Sequence, residues 1–406
     1  MIGYTELNLE LTPEQVSIKG ETHRFARDVL RPASIALDKM SPREVIESDI
    51  YWDTMKKGYD LGYHTILIPD TYGGIATDPL ETHIVFEELA WGSVDFAIAL
   101  GCACFPAFFS TMVPTDELVE GIIEPYCACT DASIIGCWAI TEPAHGTDTL
   151  CPYTPEFSNP DISGQVTAHR DGDDYIIEGQ KSAWVSNGSV ATHALAYLTI
   201  DPSKGMAGGG ICIIPLDLPG VRRGEPLDKM GQRALNQGEI FFDKVRVPKE
   251  YMLIDEESYP AMLDVTLSTA NAAMGAFFTG VARAAYEEAL AYSKQRIQGG
   301  KALFEHQLIK HKLFNMFMNL EAGRALSRSA MIYNYNNTPP KTEYSSAAKV
   351  FCTNMALNVT SEAIQIFGGN GLSREYPVEK FFRDARAGMI EDGANDSLML
   401  TGAHHL

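Results

Sequence analysis

Residues 363–386, Ala363-Ile-Gln-Ile-Phe-Gly-Gly-Asn-Gly-Leu-Ser-Arg-Glu-Tyr-Pro-Val-Glu-Lys-Phe-Phe-Arg-Asp-Ala-Arg386, lead into Met389-Ile-Glu-Asp-Gly393. This stretch closes a series of helical segments. Residues 270–294 are rich in alanine, with apolar side chains at three- and four-residue intervals, and 308–331 repeat the pattern. Pro339-Pro340 interrupts the series before a further run, 345–366. Four such helices in succession after Pro248 predict a helical bundle. The quoted stretch turns at Gly368-Gly369 and ends with two adjacent carboxylates, Glu391 and Asp392, directly before Gly393.

Upstream, from about 133 to 247, the pattern changes. Short β-branched runs at 166–169, 175–178, 211–215 and 240–243 are separated by Asp-Gly, Asn-Gly and Gly-Gly-Gly turns. Arg170-Asp-Gly-Asp-Asp-Tyr175 reads as a hairpin turn. These signals predict a compact antiparallel β domain, barrel-like, with the proline-rich 151–161 as a surface insertion. Residues 12–130 read as helical: Thr12 caps a helix opened by Pro13, and 79–89 carry apolar residues at helical spacing. The small and apolar 92–109 predict a buried helix that in a ligand-enclosing fold also lines a pocket. The expected class is mainly α with a central β domain: helical 1–130, β 131–248, helical bundle 249–406.

A chain of 406 residues exceeds one compact core. Its 32 basic and 53 acidic side chains give a net charge of −21, which repels nucleic acid and anionic lipid and excludes both as partners. No apolar stretch reaches membrane-spanning length, and residues 1–8 lack the basic and apolar regions of a leader. The eight cysteines lack the spacing of a zinc site, so no metal is expected. Reduced, buried thiols fit a cytoplasmic setting.

Several boxes together carry a resemblance to the acyl-CoA dehydrogenase family. Trp138-Ala-Ile-Thr-Glu-Pro-Ala-His-Gly-Thr-Asp148 resembles the family's Thr-Glu-Pro-x-x-Gly-Ser-Asp box, a tight loop after a strand that exposes N–H groups to an anion. Gly179-Gln-Lys-Ser-Ala-Trp-Val-Ser-Asn-Gly188 resembles its Gly-x-Lys segment, and residues 229–248 resemble its exit from the barrel. Residues 294–307 resemble its Arg-x-x-Phe-Gly…Gln segment, and the stretch at 363–393 its C-terminal signature. The resemblance implies FAD as cofactor. Trp138, Ile140 and Thr141 would meet the flavin ring, Gly146 and Thr147 the pyrophosphate, Trp184 one flavin face, and Ser186 the region of N5. Arg296 would contact the pyrophosphate of a neighbouring subunit's cofactor, assisted by Gln298, Gln307, Gln365 and Gly369. The resemblance therefore implies a homo-oligomer, a dimer of dimers.

The implied reaction is α,β-dehydrogenation of an acyl-CoA thioester, with electrons passed to an electron-transferring flavoprotein. An acyl-CoA oxidase and a non-catalytic scaffold are the alternatives on the same fold. Alignment on Gly393 puts Asp392 where the family has a glutamate base, and Glu391 where it often has tyrosine. Glu391 by a local shift, Asp264 one residue out of register, and Asp95 are the other base candidates. Ala394 and Asp396 replace a usual Thr and Gln that contact flavin, and Gly299 replaces a phenylalanine. With Ala97, Gly101 and Cys102 on the pocket helix, Gly299 points to a wide pocket for an alicyclic or branched acyl group, resembling cyclohexane- and cyclohexene-carboxyl-CoA dehydrogenases.

Overall fold

The computed structural model describes residues 11–76 and 78–406. Residues 1–8, read from the sequence as lacking leader features, lie outside them. The N-terminal part is helical: α1 (Pro13–Phe25), α2 (Arg31–Leu37), α3 (Pro42–Glu47), α4 (Asp49–Asp60), α5 (Pro79–Gly92), α6 (Val94–Ala103), α7 (Phe105–Ser110), α8 (Asp116–Leu118) and α9 (Glu124–Ala128). Thr12 and Gln15 form a reciprocal capping box at α1, as the sequence predicts, and Ser41 with Glu44 forms another at α3. Asp78 caps α5 through the amides of Leu80 and Glu81. The apolar run expected as one helix is two, α6 and α7, which meet at Cys104 just before Phe105-Pro106. Pro106 has no N–H to continue an uninterrupted ladder but suits the first turn of a new helix.

The central sheet contains β1 (Gly136–Ala139), β2 (Thr167–Asp171), β3 (Asp174–Lys181), β4 (His193–Thr199), β5 (Gly209–Pro215), β6 (Val221–Arg223), β7 (Ile240–Pro248) and β8 (Met252–Ile254). Its order is β6-β7-β3-β2-β4-β5-β8, with β1 attached to β4. Most pairings are antiparallel, but β1 and β2 each pair parallel with β4. The sheet also reaches past the boundary expected at 248, because the apolar Met252–Ile254 pairs with β5.

A two-stranded hairpin, β9 (Ile297–Gln298) and β10 (Lys301–Ala302), separates the long helices α10 (Tyr259–Gln295) and α11 (Gln307–Asn336). α12 (Thr342–Phe367) packs on both, and α13 (Val378–Ala387) and α14 (Asn395–His404) are ten residues each. α10 also lies against α5. Gly280 permits that close approach, since a Cβ there would lie 2.3 Å from the Glu87 carbonyl oxygen.

Two glutamates of α5 are buried in the contact with the bundle. Arg283 donates to Glu87 at 2.9 Å and to Glu88 at 2.7 Å, and Arg324 donates to Glu87 at 2.9 Å. Lys19 and His23 of α1 also meet Glu88, at 3.2 and 2.8 Å, and carboxylates this deep remain charged because these cationic groups surround them. Among the described residues, no helix is long and apolar enough to cross a membrane. Each of the eight cysteines is free, with Cys127 and Cys151 partly exposed and the others buried.

Candidate active site

The sheet and α13 enclose a cleft of about 690 Å³. One wall is the loop that leaves β1. Glu142 and His145 exchange backbone hydrogen bonds of 2.8 and 3.2 Å, so Pro143-Ala144 make a tight turn. The Glu142 carboxylate is buried and accepts from Lys181 Nζ at 2.7 Å and from the Val166 amide at 3.2 Å. Lys181 also donates to the Ile140 carbonyl at 2.8 Å. This ion pair locks the loop onto β3. The Gly146 amide, expected to meet a pyrophosphate, donates instead to Asp148 Oδ1 at 2.6 Å, and His145 Nδ1 lies 2.7 Å from Asp148 Oδ2.

The second wall comes from the turn after β3. Asn187, left-handed at φ 63°, is buried and donates to the carbonyls of Ala99 and Gly136, tying the turn to α6 and β1. That places Ser186 between Trp138 and Gln237 in the backbone pairing and leaves the Trp184 ring 56% exposed on the cleft. An indole so exposed in a mainly apolar cleft is a surface suited to a flat aromatic ligand. In the barrel exit, the Gln237 amide nitrogen donates to Ser186 Oγ and to the Trp184 carbonyl, each at 3.2 Å. Its oxygen accepts from Lys229 Nζ at 2.8 Å.

The floor is the turn after α13. Asp392 has φ 54° and Gly393 φ 94°. A left-handed residue other than glycine is uncommon, and aspartate and asparagine tolerate it best. Among the described residues, the backbone N–H groups of Asp392 and Gly393 have no protein acceptor. The Ala394 amide donates to Thr147 Oγ1 at 3.1 Å, which joins this turn to the first loop. From beneath, Lys349 Nζ donates to the Gly393 carbonyl at 2.6 Å and to Asn395 Oδ1 at 2.9 Å. Gln232 Nε2 donates to Glu391 Oε1 at 2.7 Å.

Both carboxylates lose hydration in this setting. Burial pushes Asp392 up to about 6, with the Lys349 charge opposing. Burial, followed by the Asp392 charge, pushes Glu391 up to about 7, against the Gln232 hydrogen bond and the charges of Lys229 and Lys349. Burial lowers Lys229 and Lys349 to about 8 each. Both carboxyls are thus raised toward neutrality, the range a general base needs.

The structure thus brings Trp138, Ile140, Thr141, Gly146, Thr147, Trp184, Ser186, Glu391, Asp392 and Gly393 to one cleft. Ala394 adjoins it through Thr147, whereas Asp396 is exposed in the first turn of α14. Arg296, Gln298, Gly299, Gln307, Gln365 and Gly369 are all exposed and do not line this chain's cleft. Gly299 turns the β9–β10 hairpin at φ 62° and so does not widen the pocket within the chain.

Ala97 and Gly101 are also not cleft residues. They are buried in α6, where a Cβ on Gly101 would already touch Phe277 at 3.6 Å. Two candidate bases are eliminated by their partners. Asp95 is buried and held by Lys380 at 3.3 Å and the Ala234 amide at 3.2 Å. Asp264 is off the cleft and is engaged by the Tyr153 hydroxyl and by His405 at 3.6 Å.

Lys349, Gln232 and Lys229 were not legible as site residues. A lysine on a helix and two residues in a barrel-exit segment acquire their roles only through tertiary contact. Glu142 and Lys181 stood inside recognised boxes, but their pairing did not follow from spacing.

Models of the N-terminal, middle and C-terminal domains of acyl-CoA dehydrogenases match residues 12–110, 137–245 and 262–406. The probable acyl-CoA dehydrogenase YngJ of Bacillus subtilis is 31% identical over 408 residues, covering 98% of this chain and all of that protein. Cyclohexane-1-carbonyl-CoA dehydrogenase of Geobacter metallireducens is 30% identical over 401 residues, covering 97% and 98%. The structure of butyryl-CoA dehydrogenase from Megasphaera elsdenii superposes with a TM-score of 0.85 at 29% identity, covering 98% of this chain and 99% of that one.

Proposed function

The chain belongs to the acyl-CoA dehydrogenase family of FAD-dependent enzymes, and from that premise we propose that it removes the α and β hydrogens of an acyl-CoA thioester with Asp392 as the base. The observation that carries this reading is the Glu391–Asp392 pair, desolvated on a left-handed turn that opens onto the same cleft as Trp184, Thr141 and Ser186. The donor set fits the cofactor. Trp138, Ile140 and Trp184 offer apolar and aromatic surface, Thr141 and Ser186 offer hydroxyls, and the cleft volume lies in the range of small-molecule sites. When bound, FAD supplies the acceptor for the β-hydrogen and its electron pair.

The remaining work falls to the chain. Asp392, ionised above about pH 6, accepts the α-proton as the C–H electron pair moves into the new double bond. Its backbone N–H, without a protein acceptor, is available to the thioester oxygen as negative charge develops there. Glu391, held by Gln232, stays behind as a neighbouring carboxyl that the Asp392 charge helps to keep protonated.

The substrate class we infer is an alicyclic or branched acyl-CoA. Support comes from the 30%-identical cyclohexane-1-carbonyl-CoA dehydrogenase and from the short aspartate, which leaves room for a bulkier α-carbon than glutamate does. Ala97, Gly101 and Gly299 do not shape the acyl pocket of this chain, since none of them lines the cleft. An electron-transferring flavoprotein is the acceptor we assign, and a dimer of dimers the assembly in which Arg296, Gln298, Gln307, Gln365 and Gly369 reach a neighbour's cofactor.

The test is anaerobic bleaching of the flavin by straight-chain, branched and alicyclic acyl-CoA thioesters, repeated in air. Fastest bleaching by an alicyclic or branched thioester is expected. Equal bleaching by all would contradict the substrate class, and rapid reoxidation by air would turn the assignment to an oxidase.

A further inference from the structure

A lysine that the proposed reaction does not use lies directly beneath the base. Lys349 is completely buried on α12, and its ammonium reaches the turn after α13 through the Gly393 carbonyl at 2.6 Å and Asn395 Oδ1 at 2.9 Å. Asn395 is itself fixed to α12, since its Nδ2 donates to Thr353 Oγ1 at 3.0 Å. The peptide that Lys349 grips follows Gly393, whose φ of 94° continues the left-handed turn begun at Asp392. A side chain at Gly393 would be strained at that φ, and its Cβ would lie 2.8 Å from Leu398 Cδ2.

A buried amine could satisfy its hydrogen bonds on any carbonyl. This one is placed where its charge also acts on Asp392 and Glu391. We propose that Lys349 is a positioning residue for the base: it pins the left-handed turn that presents Asp392 and sets a positive charge beneath that carboxylate. The inference rests on Asp392 being the base.

The charged and titratable groups around Asp392 are Lys349 from α12 and Glu391 from its own turn, with Lys229 from the barrel exit. Arg383 and Arg386 from α13, and Glu142 and His145 from the first loop, share the cleft. Cys102 of α6 feels both carboxylates, and burial pushes its thiol up well above the usual range. Burial brings Lys349 down to about 8, so it retains its charge through the interval in which Asp392 titrates near 6. Removing the charge moves the Asp392 titration upward, because the opposing cation is lost and the desolvation remains.

The experiment is single-turnover flavin reduction from pH 5 to 9 with acyl-CoA and FAD-loaded protein, for the wild type, Lys349→Gln, Lys349→Met and Asp392→Asn. Gln keeps a donor for the Gly393 carbonyl without the charge, and so remains informative if Met does not fold. Flavin content is read from absorbance for each. The expected result for Lys349→Gln is full flavin content with the half-maximal pH raised by about one unit, so that the rate near pH 6 falls about fivefold while the alkaline plateau is largely kept. A lowered plateau with an unmoved half-maximal pH, while Asp392→Asn is inactive, overturns the role of Lys349 and leaves Asp392 as base. Near-native reduction by Asp392→Asn overturns both.

Discussion

Replacing Asp392 by asparagine should stabilise the protein and disable it in the same step. Asparagine tolerates the left-handed φ of 54° as aspartate does, so the turn survives the change. What disappears is a carboxylate whose pKa burial raises from 3.8 to about 6. A raised carboxyl pKa means that the ionised form costs folding energy, a cost that is absent below about pH 4 and complete above about pH 7. At about 1.4 kcal/mol per pH unit the rise amounts to about 3 kcal/mol, and solvent in the cleft reduces this to about 1–2 kcal/mol. With about 2.1 cal/mol/K of unfolding entropy per residue, a chain of 406 residues turns that into a Tm increase of about 1–2 °C.

Scanning calorimetry of both oxidised holoenzymes at pH 4, 6 and 8 reads the difference, which should open with rising pH. Flavin reduction by acyl-CoA, measured on the same samples, should fall about 10²–10⁴-fold. A Tm difference that is independent of pH would refute the desolvation of Asp392. Retained reduction would refute its role as base.

Glu391→Gln should change flavin reduction less than about tenfold at pH 8, since Glu391 is held by Gln232 and shapes the turn rather than taking the proton; a loss as large as that of Asp392→Asn in the same assay would move the base to Glu391. Arg296→Ala should fold but retain less flavin after gel filtration at micromolar concentration, because an interfacial charge left without its partner costs about 2–5 kcal/mol. Full occupancy would remove Arg296 from the pyrophosphate. Lys181→Met leaves the Glu142 carboxylate buried without its cation, and urea denaturation should show a loss of about 3–5 kcal/mol.

The sequence exposed those parts of the molecule that are written locally. Thr12 before Pro13, the alanine-rich periodicity of α10, and the boxes around Thr141, Ser186 and Gly393 depend on neighbours a few residues away. Features that depend on distant neighbours were not legible. The parallel pairing of β1 and β2 with β4 has no sequence signature, because the same apolar runs serve either direction. The break at Cys104 was hidden by continuous apolarity, although Pro106 marked it.

At the site, Ala97 and Gly101 were judged by size, yet they turn to Phe277 and the interior rather than to the cleft. For the aspartate at the base position, the sequence left open a bulkier substrate, a shift to Glu391 and a base elsewhere. Its φ of 54° supplies a further reason, since aspartate suits that backbone better than glutamate does. Lys349, a residue with no motif around it, came into view only when α12 was placed under the turn.

The charged contact between α5 and the bundle also bears on how the chain is made. Glu87 leaves the ribosome long before its partners: Arg283 lies 196 residues later and Arg324 lies 237 residues later. At about 5–20 residues per second, the nascent chain spends about 10–50 s with Glu87 and the apolar α6 already synthesised and the helices that cover them still to come. During that interval Lys19 and His23 of α1 can already meet Glu88, but Glu87 lacks the guanidinium groups that surround it in the finished fold, so α5 cannot yet take its native place. Newly made N-terminal segments should therefore engage chaperones until α10 and α11 emerge, and a truncation ending before Tyr259 should be degraded or aggregate rather than persist as a separate folded piece.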